Sequence, residues 1–292
     1  MILPLDVLSH PSLLRCIGIP FYHACQYVDA MRCIALASGS KGNCLYIEGE
    51  TASILIDAGL SRREILARLH AAGGSPERLS AILVTHEHID HIASVEALAR
   101  HLSIPVYATG GTLLDLLDSR PVRRNPIRAV RVDYGERFTI GDFSVEAFEV
   151  SHDAREPCGF LVREGDLTIG CCTDTGMVNR AMMDCFCRCD ALVLESNHCP
   201  EMLKNGPYPE VLKRRIRSRR GHLSNPDAAK CINELCTRVH SIMLAHLSEV
   251  NNTPQKALAT AREGAGLFSS DLEVIVATNP GHGACWPHYI SL

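Results

Sequence analysis

The chain has 292 residues, 46% of them hydrophobic and 21% charged, which provides for a sizeable core and excludes a disordered or fibrous class. A net charge of −4 excludes polyanion binding through overall charge, so any contact with nucleic acid must come from local basic clusters. No apolar run approaches the ~18 residues that span a bilayer, and residues 1–30 lack a basic leader and are broken by Pro4, Pro11 and Pro20, unlike a secretory signal.

Residues 1–30 read as an N-terminal extension, and residues 31–292 as one domain. Strand patterning starts after Met31, with segments 33–37, 44–48 and 53–57 joined by tight turns, the first being Ser38-Gly39-Ser40-Lys41-Gly42-Asn43. Residues 61–72 read as a helix with a serine cap and a stop at Gly73. Ala81-Ile82-Leu83-Val84 reads as a buried strand and the stretch from Ile92 to Leu98 as a helix. A short strand at 105–108 and a helix near 112–117 follow. A second strand series occupies 129–132, 136–140, 143–150, 159–163 and 167–172. Strands at 191–194, 241–245 and 273–276 then alternate with helices at 225–235 and 254–263. Two strand-rich halves with interspersed helices predict a layered sheet sandwich with helices outside. No internal repeat of fixed short period is present.

Between the strand at 81–84 and the helix at 92 lies Thr85-His86-Glu87-His88-Ile89-Asp90-His91, three histidines and an aspartate in six positions. A strand-to-helix turn lets side chains converge on one point, and imidazole with carboxylate suits Zn, Mn or Fe. One histidine there would be a solvated turn; four such groups predict a metal site. Further ligand-type residues stand where hydrophobic runs end, the usual place for active-site residues on a sheet scaffold: His152 after 143–150, Asp174 after 167–172 and His246 after 241–245. Together with the turn they form one consistent set, in which Asp174 is the natural bridge.

Fourteen cysteines is a high count, yet Cys171-Cys172 and Cys185, Cys187 and Cys189 make no paired C-x-x-C framework. Without an export signal disulfides are not expected, and the thiols read as small buried apolar residues in a cytoplasmic protein. The spacing Cys185-x-Cys187-x-Cys189 is the one that could add a further metal. His222 lies on the entry loop of the helix at 225–235, which either Ser224 or Asn225 would cap. Just upstream, six of the eight residues from Lys213 to Arg220 are basic. Such a run is usually a solvated helix face, but beside His222 it makes a phosphate-binding edge, with Arg214, Arg215 and Arg219 as expected contacts. Ser40 and Lys41 of the first turn join them as expected substrate contacts. Arg120, Arg123, Arg124, Arg128 and Arg131 form a looser basic stretch, and with Tyr134 and Tyr208 the nearest aromatics, base stacking has little support.

His86-x-His88-x-Asp90-His91 followed in order by His152, Asp174 and His246 resembles the metallo-β-lactamase superfamily over residues 31–292. Within it, Ala37-Ser38-Gly39-Ser40-Lys41-Gly42-Asn43-Cys44, Leu55-Ile56-Asp57-Ala58-Gly59, Gly221-His222-Leu223-Ser224-Asn225 and the segment from His246 to Pro254 resemble the WalJ/YycJ-type bacterial metallo-hydrolases, a branch similar to tRNase Z and the cyclic phosphodiesterase PhnP. The resemblance implies a mixed α/β, four-layer αββα sandwich with a dinuclear site at one edge. It implies that His86, His88 and His152 hold one metal, Asp90, His91 and His246 the other, and that Asp174 bridges them. It also implies catalytic roles for Asp90, for Asp57 as the group that orients the histidine turn, and for His222 as a general acid near the leaving group. A turn-capping role for Asp57 competes with the first of these.

Two divalent ions, Zn or Mn with Fe also suited, would generate a nucleophile from water and stabilise attacking and leaving oxygens. A site of such high positive charge fits a phosphodiester anion, so the expected function is a nuclease, DNA exonuclease-like or RNase Z-like, with nucleic acid as its substrate partner. A small cyclic phosphodiesterase and a thioester or lactone hydrolase of the glyoxalase II kind are the alternatives; the basic run and His222 weigh against the latter. A β-lactamase is disfavoured because Asp174 stands where those zinc enzymes commonly use cysteine, a di-iron redox protein because His88 stands where that branch has Glu, and a regulatory module because no ligand is missing. No membrane or obligate protein partner is expected, and a homo-oligomer stays open.

Overall fold

Strands whose two faces are both apolar must be covered on both sides, and this chain does so with paired sheets inside and helices outside. The computed structural model describes residues 31–118, 127–235, 237–266, 271–279 and 287–292. The expected N-terminal extension and Arg120, Arg123 and Arg124 of the looser basic stretch lie outside them.

In the first half, β1 (Arg32–Ala37), β2 (Cys44–Glu48) and β3 (Ser53–Ile56) form an antiparallel meander. β4 (Leu79–Leu83), β5 (Val106–Thr109) and β6 (Ala129–Val132) then add in parallel. Parallel pairing demands a crossover, supplied by α1 (Arg62–Ala71), by α2 (Ile89–Ile92) with α3 (Val95–Leu102), and by α4 (Gly110–Asp118). β14 (Tyr289–Ser291) returns from the C-terminal end to pair antiparallel with β1, giving the order β14-β1-β2-β3-β4-β5-β6.

The second half lays down β7 (Arg137–Ile140), β8 (Phe143–Glu149), β9 (Cys158–Glu164) and β10 (Leu167–Cys172) as an antiparallel series. β11 (Ala191–Glu195), β12 (Ser241–Ala245) and β13 (Glu273–Val276) follow in parallel, in the order β13-β12-β11-β10-β9-β8-β7. The crossovers carry α5 (Arg180–Phe186), then α6 (Pro200–Asn205), α7 (Glu210–Ile216) and α8 (Asn225–Leu235), then α9 (Pro254–Ala265).

The period of two along each strand sorts side chains between layers. In β1, Cys33 and Ala35 enter the core between the sheets, while Ile34 and Leu36 pack with Ile65, Leu69, Val95 and Leu98 under α1 and α3. In β11, Ala191 and Val193 face the other sheet, and Leu192 and Leu194 face Phe186, Ile232 and Ala261 of α5, α8 and α9. The architecture is the expected four-layer αββα sandwich.

Local signals hold at several ends. Ser61 Oγ accepts from Glu64 N at 3.3 Å, and Gly73 beyond α1 has φ 81°. Ser224, of the two candidate caps, accepts from Asp227 N at 3.2 Å and so caps α8. The helix expected from Ile92 differs: one turn begins at Ile89 and a second helix begins at Val95. Ala58 N donates to His91 O at 2.7 Å and Ser94 N to Ala58 O at 2.9 Å, so the turn is tied to the exit of β3 and breaks there. Short α5, α6 and α7 and the three-residue β14 are additions to the sequence reading. Seven cysteines (33, 44, 158, 171, 172, 189 and 231) are buried and unpaired, and burial pushes their ordinary thiol range upward, to about 12 for Cys231. No helix among the described residues is long and apolar enough to cross a membrane.

Candidate metal centre and active site

β3, β4, β10, β11 and β12 are parallel to their neighbours where crossovers join them, so each sheet delivers its carboxyl ends to one edge, where ligands of α/β sheets collect. Three exits leave the strand through left-handed backbone at non-glycine residues: Asp57 (φ 62°), Asp174 (φ 55°) and His246 (φ 55°). That conformation costs roughly 1–3 kcal/mol at each, and it turns these side chains across the edge instead of along the strand.

All seven expected ligands meet there. His86, His88 and His152 form one group, with His86 Nε2 3.0 Å and His152 Nε2 3.3 Å from His88 Nδ1. Asp90, His91 and His246 form a second, with Asp90 Oδ2 3.6 Å from His91 Nε2 and 3.7 Å from His246 Nε2. Asp174 lies between them, Oδ2 3.2 Å from His91 Nε2 and Oδ1 3.8 Å from His152 Nε2. Cys185, Cys187 and Cys189 belong to no group that could hold a metal among the described residues.

The rings are oriented by bonds to their other nitrogen, as metal ligands commonly are. His91 Nδ1 sits 2.7 Å from Asp57 Oδ2, and Asp57 also accepts from Thr85 N and Oγ1, both at 2.8 Å. Asp57 therefore anchors the histidine turn instead of capping its own. His152 Nδ1 donates to Gly221 O at 2.9 Å, which leaves Nε2 with its lone pair toward the pocket. His246 Nδ1 reaches Glu195 Oε1 at 2.9 Å, and its backbone N donates to Ser38 Oγ at 2.7 Å. Asn43, held by Gly39 N on its Oδ1, points its amide nitrogen at Asp90 Oδ2 (3.3 Å) and His91 Nε2 (3.0 Å).

The donor set fits a cation. Asp174 Oδ2 and His246 Nε2 are buried without a hydrogen-bond partner among the described residues, although both face other donors of the cluster. Leaving such atoms bare is costly unless positive charge arrives. Without a metal, protons take that place: burial opposes a charge on His91, but Asp174 and Asp57 hold its pKa well above the histidine range. Burial likewise opposes His246, yet Asp174, Asp90 and Glu195 raise it to about 10.

Gly59 fixes the approach of the turn. A Cβ there would lie 1.6 Å from Asp90 O, in a place where Gly59 N donates to Asn43 O and Asn43 N to Asp90 O. Gly59→Ala is expected to destabilise by ~3 kcal/mol, the upper end for forced overpacking, and to lower metal content. Denaturant midpoints with elemental analysis measure both, and wild-type values for the pair would show that the turn adapts.

Glu195 is a functional position beyond the sequence reading. Fully buried at the end of β11, it accepts from Thr175 N (2.8 Å) and Leu223 N (3.0 Å) on Oε2, and from His222 Nδ1 (2.8 Å) and His246 Nδ1 (2.9 Å) on Oε1. With four donors its oxygens are spent, so it positions histidines. Burial opposes its charge, but His222 and His246 draw its pKa down to about 2. The signal was a carboxylate at the exit of an apolar strand, as for Asp174. His222 Nδ1 is thereby held and lies 3.5 Å from Asp174 Oδ1; burial works against its charge, but Glu195 and Asp174 raise its pKa.

The basic run occupies α7 and the loop after it, and is not uniform. Lys213 is buried and donates to Lys204 O at 2.8 Å; Arg215 pairs with Asp153 at 2.5 and 3.1 Å; Arg220 reaches the carbonyls of His152 (3.0 Å) and Ala154 (3.3 Å). Arg214 and Arg219 are exposed and in no ion pair among the described residues. Ser40 is exposed at the rim, and Lys41 pairs with Glu249 at 2.6 Å. Arg131 pairs with Asp133 at 2.7 Å, so less of the looser basic stretch is free for phosphate.

A two-sheet sandwich with this His/Asp pocket at its strand ends defines a class of metal-binding hydrolases. The chain belongs to the β-lactamase superfamily, whose domain matches residues 52–247. It is 39% identical over 227 residues, 77% of this chain and 84% of the relative, to exodeoxyribonuclease WalJ of Streptococcus pneumoniae. It is 41% identical over 226 residues, 76% and 84% of the two chains, to exodeoxyribonuclease YycJ of Bacillus anthracis. The solved structure of the metallo-β-lactamase fold protein YhfI from Bacillus subtilis superposes with a TM-score of 0.69 at 16% identity, covering 90% of this chain and 100% of that one.

Proposed function

We propose that this chain is a dinuclear-metal-dependent phosphodiesterase of the cytoplasm that degrades nucleic acid, with DNA ends as its substrate. The observation that carries this reading is the Glu195–His222 pair, 2.8 Å apart and directly beside the donor pocket. An alkoxide leaves poorly without a proton, whereas a thiolate, the leaving group of a thioester, departs near neutral pH unaided. A held imidazole beside the cluster therefore suits a phosphodiester. The names of the WalJ and YycJ relatives support DNA and exonuclease action.

In this reading His86, His88 and His152 hold one ion, Asp90, His91 and His246 the other, and Asp174 joins them. Zn or Mn suits these imidazole and carboxylate donors. When bound, the ions supply an activated water and charge stabilisation of the phosphoryl oxygens. The chain does the rest: Asp57 keeps His91 aimed through its Nδ1, Glu195 does the same for His246, and His222, held by its Nδ1, delivers a proton from Nε2 to the leaving oxygen. Ser40, Lys41, Arg214, Arg215 and Arg219 steer the strand.

Two tests follow. Metal-loaded protein is expected to shorten labelled DNA from an end, and its loss of activity in chelator is expected to reverse with Zn or Mn; hydrolysis confined to thioesters or lactones would reject the reading. Neutralising Arg214, Arg215 and Arg219 together is expected to weaken binding across all sequences. Each lost phosphate contact lowers the salt slope by ~0.7 on single strands, and because Arg215 already spends its charge on Asp153, the expected fall is ~1.4, the share of Arg214 and Arg219. An unchanged slope would reduce the run to a solvated surface.

A further inference from the structure

Outside the donor pocket, a cavity of about 370 Å³ opens between the loop after β10 and α8. Small-molecule sites start at ~300 Å³, so it is large enough for one. Met177, Val178, Met183, Leu223 and Cys231 give it apolar walls, and Arg219 stands at its mouth.

The cavity shares a wall with the acid. Gly176 at its rim is two residues past Asp174, and Leu223 directly follows His222. Ser151, the neighbour of His152, binds both lips: Gly176 N donates to Ser151 O and Ser151 Oγ donates to Arg219 O, each at 2.7 Å. The lips are close enough that a Cβ on Gly176 would lie 2.4 Å from the Arg219 carbonyl carbon. Glu195 Oε2 holds Thr175 N and Leu223 N behind them. Lys230 deeper in is neutralised by Asp227 at 2.7 Å, so the cation at the mouth is Arg219.

Apolar, thioether-rich walls take a flat aromatic ring of any edge pattern, because methionine adapts its shape and is polarizable. A guanidinium at the mouth suits a phosphate. We propose that this cavity is a subsite for the nucleobase of the nucleotide on the leaving-group side of the scissile bond, with Arg219 on that nucleotide's remaining phosphate. The proposal rests on the phosphodiesterase reading, since it is His222 that marks the leaving side.

The test is calorimetric titration of the metal-loaded protein with dAMP, deoxyadenosine and inorganic phosphate. In the wild type dAMP is expected to bind more tightly than inorganic phosphate. Val178→Trp, which fills the cavity from a half-buried position, is expected to weaken dAMP and deoxyadenosine at least tenfold and to shift inorganic phosphate by less than twofold. Arg219→Ala is expected to weaken dAMP several-fold and leave deoxyadenosine unchanged. dAMP binding no tighter than inorganic phosphate in the wild type, or equal dAMP affinity in Val178→Trp, would overturn the subsite. Should Val178→Trp lose its metals, Arg219→Ala decides alone, and equal losses for dAMP and deoxyadenosine would overturn it. A wild type that cleaves no DNA while still binding dAMP in this Val178-dependent way would reject the function and keep the site.

Discussion

Asp174→Ala is expected to retain one bound ion or none and to lose ~10³-fold or more in phosphodiester turnover, about 4 kcal/mol of transition-state stabilisation. The size of the effect follows from position. Asp174 faces His91, His152, His246 and His222 within 3.8 Å, and no other carboxylate reaches both donor groups. Asp174→Asn separates charge from shape: it keeps the volume at the left-handed turn and is expected to lose metal as well. Elemental analysis of metal-replete protein, alongside kcat/KM on a nitrophenyl phosphodiester, reads both consequences. Well-folded wild type carrying a single ion, or full activity in Asp174→Asn, would end the two-metal reading.

His222→Ala is expected to keep both ions while turnover on DNA falls by ~10²-fold or more. The fall should be smaller on a nitrophenyl phosphodiester, whose leaving group needs no proton. The pH profile adds a second readout. Glu195 raises the His222 pKa, so the acid survives above the ordinary histidine range and activity declines on the alkaline side. Glu195→Gln removes that support and is expected to move the alkaline limb toward lower pH. Equal losses on good and poor leaving groups, with an unmoved limb in Glu195→Gln, would leave His222 a substrate-binding or loop-shaping residue.

Much of this edge was legible in the sequence because its donors are crowded or stand where apolar runs stop. His86, His88, Asp90 and His91 are dense enough to exclude a solvated turn, and His152, Asp174 and His246 each follow a clear strand. Glu195 obeys the same rule but was passed over, because a strand ended at Leu194 leaves a glutamate that looks solvated. Its four bonding partners come from three other segments, which no local pattern reveals. Helix α7 was hidden for the opposite reason: five of its seven residues are charged, and charge hides helical periodicity. The fate of each arginine was illegible too, since Arg215 meets Asp153 across sixty-two positions.

The pairing order of the two sheets has an evolutionary consequence. From β14 to β6 the neighbours pair antiparallel three times and then parallel three times, and from β7 to β13 they do the same. Superposing the series sets β3 on β10, so Asp57 and Asp174 become counterparts, and both are left-handed. β4 falls on β11, matching the exit that carries His86 with the one that carries Glu195. Duplication of a half-size ancestor that once worked as a symmetric dimer leaves this arrangement. Symmetry would have given each copy the same aspartate; divergence made one a clamp on an imidazole and left the other facing the ions. Only β14 breaks the correspondence, since it fills the place of β7 from the far end of the chain, as a strand exchanged between the old partners would.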